Sequence, residues 1–318
     1  MRLGVLDVGS NTVHLAVIDA HRGGHPTPMS DRKTTLRLSE HIGADGDLDA
    51  GAADALVRIV GEYAEFARTA GCGELMSFAT SAVRDAGNGD QVLARVRRET
   101  GVVHDVLDGV DEARLTFLAV RRWFGWSAGR ILGLDIGGGS LELCNGLDED
   151  PELAFSLQLG AGRLTRDWLA GEDPPRRARI DELREYLDEE LAAPAKALRR
   201  AGTADLAVAS SKTFRMLARL AGAAPSNAGP RVPRRLTADG LRQVIAFITR
   251  MTAADRAELG GVSAERSTQV VAGALVADAA MRALRLDEVR ISPWALREGL
   301  ILRRLDTEMG GELLVGTR

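Results

Sequence analysis

The chain has 318 residues, more than one hydrophobic core usually serves, so two domains are expected. A net charge of −4 supplies no global positive field, which argues against nucleic acid or an anionic membrane as a partner. Its two cysteines, Cys72 and Cys144, lie far apart without metal-ligand spacing, and this excludes a disulfide framework or a zinc site.

The first apolar run begins by Leu3, so no signal peptide is expected, and the stretch 270–280 contains Asp278 and is too short to span a bilayer. These features predict a cytoplasmic protein. In chain order the pattern predicts strands at 3–8 and 13–19 and a third within 27–38. A helix follows over 48–70, starting at Asp49 and ending before Gly71-Cys72-Gly73. Then come a strand at 74–79, a helix at 90–100, a strand at 102–107 and a helix at 111–124. After Gly125-Trp126-Ser127-Ala128-Gly129 the order begins again. Strands at 131–136, 140–146 and 153–158 precede helices at 163–170 and 178–200, a strand at 204–209 and a helix at 212–221. Helices at 237–251 and 263–284, a strand at 287–291 and a helix from 295 complete the chain. The boundary is set between 126 and 127, giving domains 1–126 and 127–318.

Two runs carry the same signature. Leu3-Gly4-Val5-Leu6-Asp7-Val8-Gly9-Ser10-Asn11 and Leu132-Gly133-Leu134-Asp135-Ile136-Gly137-Gly138-Gly139-Ser140 each end an apolar strand in Asp-x-Gly and a small polar residue. Such a turn offers backbone N–H groups to phosphate oxygens beside a carboxylate that can hold a divalent cation. The order of elements and the duplicated turn resemble the actin-like ATPase architecture, an α/β fold of two ribonuclease-H-like lobes around a central cleft.

Three further segments bear on chemistry. Asp111 and Glu112 open a helix, where they either serve its positive end or present one carboxylate to a cleft. Arg84 lies five residues past the strand at 74–79, placed for bidentate bonding to a phosphoryl group or for an ion pair with Asp85 or Glu112. The dense charges of 176–190 sit at i, i+4 spacing opposite Leu183, Leu187 and Leu191, the pattern of an amphipathic helix with a solvated face. The arginines and lysine at 32, 33, 37, 231, 234 and 235 are candidates for guiding an anion and equally read as surface charge.

Five motifs in order carry a resemblance that covers almost the whole chain. They are Asp7-x-Gly9-Ser10-Asn11, Ala79-Thr80-x-Ala82-x-Arg84-x-Ala86-x-Asn88, Asp111-Glu112-Ala113-Arg114-Leu115, Asp135-Ile136-Gly137-Gly138-Gly139-Ser140-Leu141-Glu142-Leu143 and Leu296-Arg297-Glu298-Gly299-Leu300. Together they resemble the exopolyphosphatase and guanosine pentaphosphate phosphatase (Ppx/GppA) family in its short, two-domain form. The resemblance implies Glu112 as the base that activates water and Arg84 as a catalytic residue that contacts phosphate. It implies phosphate contacts from Gly9, Ser10, Asn11, Gly137, Gly138, Gly139 and Ser140, and magnesium held by Asp135 and Glu142. Asp7 joins them as a metal candidate by its place at the first turn. Manganese as a substitute, stimulation by a monovalent cation and a homodimer are further expectations, the last supported by the apolar helix at 263–284.

The chain departs from the family at Ala209-Ser210-Ser211-Lys212-Thr213, where members carry Gly-Thr-Gly-Gly-Thr. Lys212 fills space where a nucleotide base would lie and adds positive charge, so it joins the phosphate-binding candidates. The reading is an exopolyphosphatase that releases orthophosphate from inorganic polyphosphate. The alternatives are a guanosine pentaphosphate phosphohydrolase, an actin-like kinase of a small metabolite and a non-hydrolytic polyphosphate or alarmone sensor. Members with appended helical domains are longer, so processive handling of long chains is not implied.

Overall fold

The computed structural model describes residues 1–307, apart from Arg22 and Ala44. The residues from 308 onward, part of the predicted second domain, lie outside the described residues. The chain divides into two compact units, Met1–Asp108 with the segment from Leu296, and Gly109–Ala295.

In the first unit β1 (Arg2–Val8), β2 (Thr12–Asp19) and β3 (Ser30–Thr35) form an antiparallel meander. β1 also pairs in parallel with β4 (Glu74–Ala79), and β4 with the short β5 (Asp105–Val106), giving the order β3-β2-β1-β4-β5. Leu3, Val5, Leu6 and Val8 are all buried because β1 is central and covered on both faces. Asp49 caps α1 (Ala50–Thr69) by accepting the Ala52 N–H at 2.7 Å. Leu56, Val60, Tyr63 and Ala67 then recur at helical spacing to face the core. α2 (Ser81–Arg84) and α3 (Gly89–Thr100) complete this part.

The second unit begins with α4 (Gly109–Phe124) and repeats the meander in β6 (Ile131–Ile136), β7 (Leu141–Gly146) and β8 (Leu153–Leu157). After α5 (Ala161–Trp168) and α6 (Arg177–Arg200), β9 (Leu206–Ala209) pairs in parallel with β6. α7 (Ser211–Leu220), β10 (Arg235–Thr237), α8 (Ala238–Ile248), α9 (Ala253–Ala257), α10 (Val270–Leu284) and β11 (Glu288–Ile291) follow, and the sheet runs β10-β11-β9-β6-β7-β8. Apart from β10 this is the strand order of the first sheet. The molecule therefore carries the ribonuclease-H-like α/β arrangement twice, the architecture of actin-like ATPases.

Strand alternation divides the second unit's core. Leu132, Leu134, Ile136, Leu141 and Leu143 pack under α6, α7, α8 and α10. Ile131, Cys144 and Val208 face the other way, against Ala113, Phe117 and Val120 of α4. Arg121, fully buried, pins the far end of α4 by donating to the carbonyls of Gly129 at 2.8 Å and Gly146 at 3.1 Å.

Several boundaries differ from the sequence expectation. The division falls after Asp108 rather than after residue 126, since the apolar face of α4 is buried on the second sheet. α11 (Leu296–Thr307) groups with the first unit, where Arg304 pairs with Glu74 at 2.8 Å. The strand expected over 102–107 is only two residues long. The helix expected from 263 is a 3-10 turn at Ala264–Arg266, and α10 starts at Val270. α10 is buried nearly all round within its own unit, so its apolar character is accounted for without a second copy. No described helix is long and apolar enough to cross a membrane.

Phe117, 2% exposed and lying over Gly133, is the main apolar tie between α4 and the sheet. Phe117→Ala is expected to destabilise the protein by about 3–5 kcal/mol, read by urea denaturation. A loss under 1 kcal/mol would show that α4 is held by Arg121 instead.

Candidate active site

The site grows out of the β6–β7 hairpin. Antiparallel register sets Asp135 directly opposite Glu142, so both carboxylates stand on the sheet face that α4 covers. Glu112, in the first turn of α4, is buried over the same face, and its charge acts on Glu142. Ser156, opposite Glu142 on β8, donates to it at 3.0 Å, and Ser210 donates to Asp135 at 2.5 Å. A small cavity between α4 and the sheet is bordered by Asp135, Glu142 and Ser210 and by the apolar Phe117, Val120 and Cys144.

Crowding three acids has an electrostatic consequence. Burial pushes the Asp135 carboxyl up to about 6, against the bond from Ser210 and the charges of Arg215 and Arg266. Glu142 is raised well above the ordinary carboxylate range, first by burial, then by Glu112 and by Asp135. Such a pair favours a proton or a cation between its oxygens.

The glycine loop is held from behind. The Gly137 N–H closes the hairpin on the Ser140 carbonyl at 2.9 Å, while the Gly137 and Gly138 carbonyls accept the N–H groups of Ala161, Gly162 and Arg163 that open α5. Arg163 also donates its Nε to the Gly139 carbonyl. The loop sits so close that a Cβ on Gly160 would stand 2.2 Å from the Gly139 backbone, so only glycine fits at 160. With its carbonyls tied, the loop keeps the N–H groups of Gly138, Gly139 and Ser140 without a partner among the described residues, as an anion-binding nest requires.

The first unit repeats the device with different chemistry. Gly9 N–H closes on the Thr12 carbonyl at 3.0 Å, and the carbonyls of Ser10 and Asn11 accept from Ser39, Leu36 and Arg37. Asp7 here stands opposite His14, where the second hairpin has Glu142. Burial raises Asp7, Arg297 opposes this and Glu298 adds to it. The Ser10 hydroxyl meets Ser81 Oγ at 2.9 Å.

The candidates thus separate. Asp135, Glu142 and Glu112 are brought together, and Gly138, Gly139 and Ser140 present donors. Gly9 and Gly137, named as phosphate contacts, spend their N–H groups on closing the hairpins, so they supply the turn rather than a donor. Arg84 donates to the Leu107 carbonyl at 2.8 Å and to Asp85 at 3.0 Å, the ion pair left open by the sequence. Lys212 is exposed in the first turn of α7, behind Ser211, which takes a left-handed φ of 74°. Asp111 is half-buried and pairs loosely with Arg114. Among the described residues no three His, Cys, Asp or Glu side chains are grouped as metal ligands.

Sequence reasoning missed two arginines. Arg215 on α7 and Arg266 in the turn before α10 both direct positive charge at Asp135, and burial lowers the pKa of Arg266. Arg215 follows Phe214 in the first turns of α7, close behind the predicted strand end at 209, whereas Arg266 had no local signal.

A sequence model of the Ppx/GppA phosphatase family matches residues 17–308. The chain is 67% identical over 317 residues to Exopolyphosphatase 1 of Mycobacterium leprae (strain TN), covering 100% of this chain and 93% of that protein. It is also 67% identical over 315 residues to Exopolyphosphatase 1 of Mycobacterium tuberculosis (strain ATCC 25618 / H37Rv), covering 99% and 91%. Among solved structures, an exopolyphosphatase from Cytophaga hutchinsonii superposes with a TM-score of 0.86 over 96% of this chain and 98% of that one at 23% identity. An Aquifex aeolicus Ppx/GppA member gives 0.82 over 98% and 99%, also at 23%. These two likenesses show a common fold.

Raised carboxyl pKa values make folding costlier as pH rises. Below the ordinary value of 3.8 Asp135 is neutral folded and unfolded, and between there and about 6 the unfolded chain gives up the proton first, so stability falls through that window. Glu142 acts in the same direction. Metal-free Glu142→Gln is therefore expected to melt several degrees above the parent at pH 7 and to converge with it near pH 4, by calorimetry. Equal melting points at pH 7 would contradict the crowded-acid picture.

Proposed function

The chain belongs to the Ppx/GppA phosphatase family, and from that premise we propose that it is an exopolyphosphatase. It cleaves the terminal phosphoanhydride of inorganic polyphosphate by attack of water and releases orthophosphate. The observation that carries this reading is the buried Glu112 held by α4 over the Asp135–Glu142 pair. A buried carboxylate placed over two others suits activation of water, and the names of the 67% identical relatives agree with the substrate.

The residues divide the work. Glu112 orients a water and takes its proton as the bond to phosphorus forms. The Gly138, Gly139 and Ser140 N–H groups, with Arg215 and Arg266, meet the negative charge of the transferred phosphoryl oxygens. In the first unit Ser10, Asn11 and Arg84 are assigned to phosphate contacts as well.

We include magnesium in this proposal because the donor set fits it. Asp135 and Glu142 are two hard oxygen donors whose mutual repulsion a divalent ion relieves, and magnesium typically takes one or two carboxylates and keeps its other positions for water and phosphate. When bound, it would neutralise phosphoryl oxygens and stabilise the leaving phosphate. A cytoplasmic homodimer is part of the same proposal. It rests on the resemblance, and fractionation and light scattering read it.

Glu112→Gln is expected to lower kcat for phosphate release from polyphosphate by about 10²–10⁴-fold with little change in KM. Purified protein given polyphosphate and guanosine pentaphosphate separately, with magnesium, decides the substrate. A higher kcat/KM for the guanosine compound would reverse the assignment, and tight polyphosphate binding with no release would replace the enzyme by a sensor.

A further inference from the structure

The second unit has a larger recess that the reaction does not use. It lies in the helical layer over Leu132, Leu134, Leu141 and Leu143, hence on the sheet face opposite Asp135 and Glu142. Its volume is about 790 Å³, within the usual range for ligand sites, and it shares no lining residue with the cavity beside the carboxylates.

Its lining is cationic. Arg177 and Arg184 come from α6, Arg242 from α8, Arg250 from just beyond it and Arg282 from α10. Against these five stand two lining aspartates, Asp188 and Asp278, and two more, Asp181 and Asp239, that pair with the arginines from outside the lining, which leaves an excess of one positive charge on a chain of net charge −4. Ile180 and Ile245 belong to the core below and give the recess a rigid apolar floor. Arg282 is held by Asp188 at 2.9 Å and by Asp278 at 3.1 Å, which fixes its position in the wall. Arg177 and Arg184 share Asp181, at 3.1 and 3.3 Å, and Arg242 pairs with Asp239. The Arg177–Asp181 and Arg242–Asp239 pairs are solvent-exposed and therefore weak, so a stronger anion can displace their carboxylates. Arg250 has no ion-pair partner among the described residues.

We propose that this three-helix recess is an anion site for an oligophosphate, distinct from the hydrolytic centre. Guanidinium forks arriving from three helices match closely spaced phosphoryl oxygens, each able to accept two parallel N–H bonds. A peptide carboxylate brings one charge per side chain, too sparse to satisfy arginines grouped in one recess. The oligophosphate is either inorganic or the phosphate tail of a nucleotide.

The test reads binding without turnover, in Glu112→Gln, so it stands whether or not the chain proves to be an exopolyphosphatase. Calorimetric titration with inorganic tripolyphosphate is expected to show two sites per chain. Arg177→Gln with Arg242→Gln and Arg250→Gln, all exposed, is expected to remove one of them and to lower the log–log salt slope for polyphosphate by about 2. Arg250→Glu alone, in case the triple variant melts early, is expected to weaken that site about tenfold. ATP filling the lost site would identify it as open to nucleotides, and ATP failing to fill it would make it a site for the inorganic chain. One site in both proteins, or an acidic peptide saturating the recess where tripolyphosphate does not, would overturn the proposal.

Discussion

Three carboxylates crowded onto one face of a sheet are the constraint around which the second unit is arranged. Glu112, Asp135 and Glu142 would be far cheaper to solvate apart, and Glu112 and Asp135 both add to the cost of ionising Glu142. They stay together because two unrelated pieces of structure force them to. Hairpin register sets Asp135 against Glu142, and the apolar seam of Ala113, Phe117 and Val120 delivers Glu112. Arg121 at one end of α4 and Phe117 in its middle thus place Glu112. The strain of the acids is relieved by a proton or a cation, and this makes the site receptive to the metal and phosphate that the proposed reaction requires.

The duplicated hairpin shows how one backbone device carries two chemistries. Both copies close with a glycine N–H on the residue three further on, and both tie the following carbonyls to the segment behind. This turns N–H groups outward in the second copy. The copies differ in the residue opposite the aspartate, a histidine in one and a glutamate in the other. His14 is driven toward its neutral form by burial and by Arg297, so the first hairpin concentrates no comparable negative charge. Paired cross-strand acids arise only in the second hairpin.

Much of this was legible from residue order. The Asp-x-Gly turns marked both hairpins, their seven-residue spacing put Asp135 and Glu142 within reach of each other, and Asp49 marked the start of α1. Harder to read were features set by partners distant in sequence. The boundary at 126 followed the glycine-rich segment, but α4 goes with whichever sheet buries its apolar face. The apolar helix expected over 263–284 supported a homodimer because a sequence pattern does not tell a helix covered by its own chain from one covered by another. Arg84 read as a phosphate ligand or an ion-pair partner, and the Leu107 carbonyl that also holds it is 23 residues away.

By itself the sequence determined the repeated sheet order, the family and the acids proposed to carry the chemistry, because these depend on local periodicity, glycine turns and spacing within one hairpin. Tertiary structure decided which glycines keep an N–H for an anion, which arginines face Asp135, and that arginines from α6, α8 and α10 enclose one recess. Each of these depends on groups tens of residues apart meeting across a packed layer, and the short-range pattern of the chain holds no record of that distance.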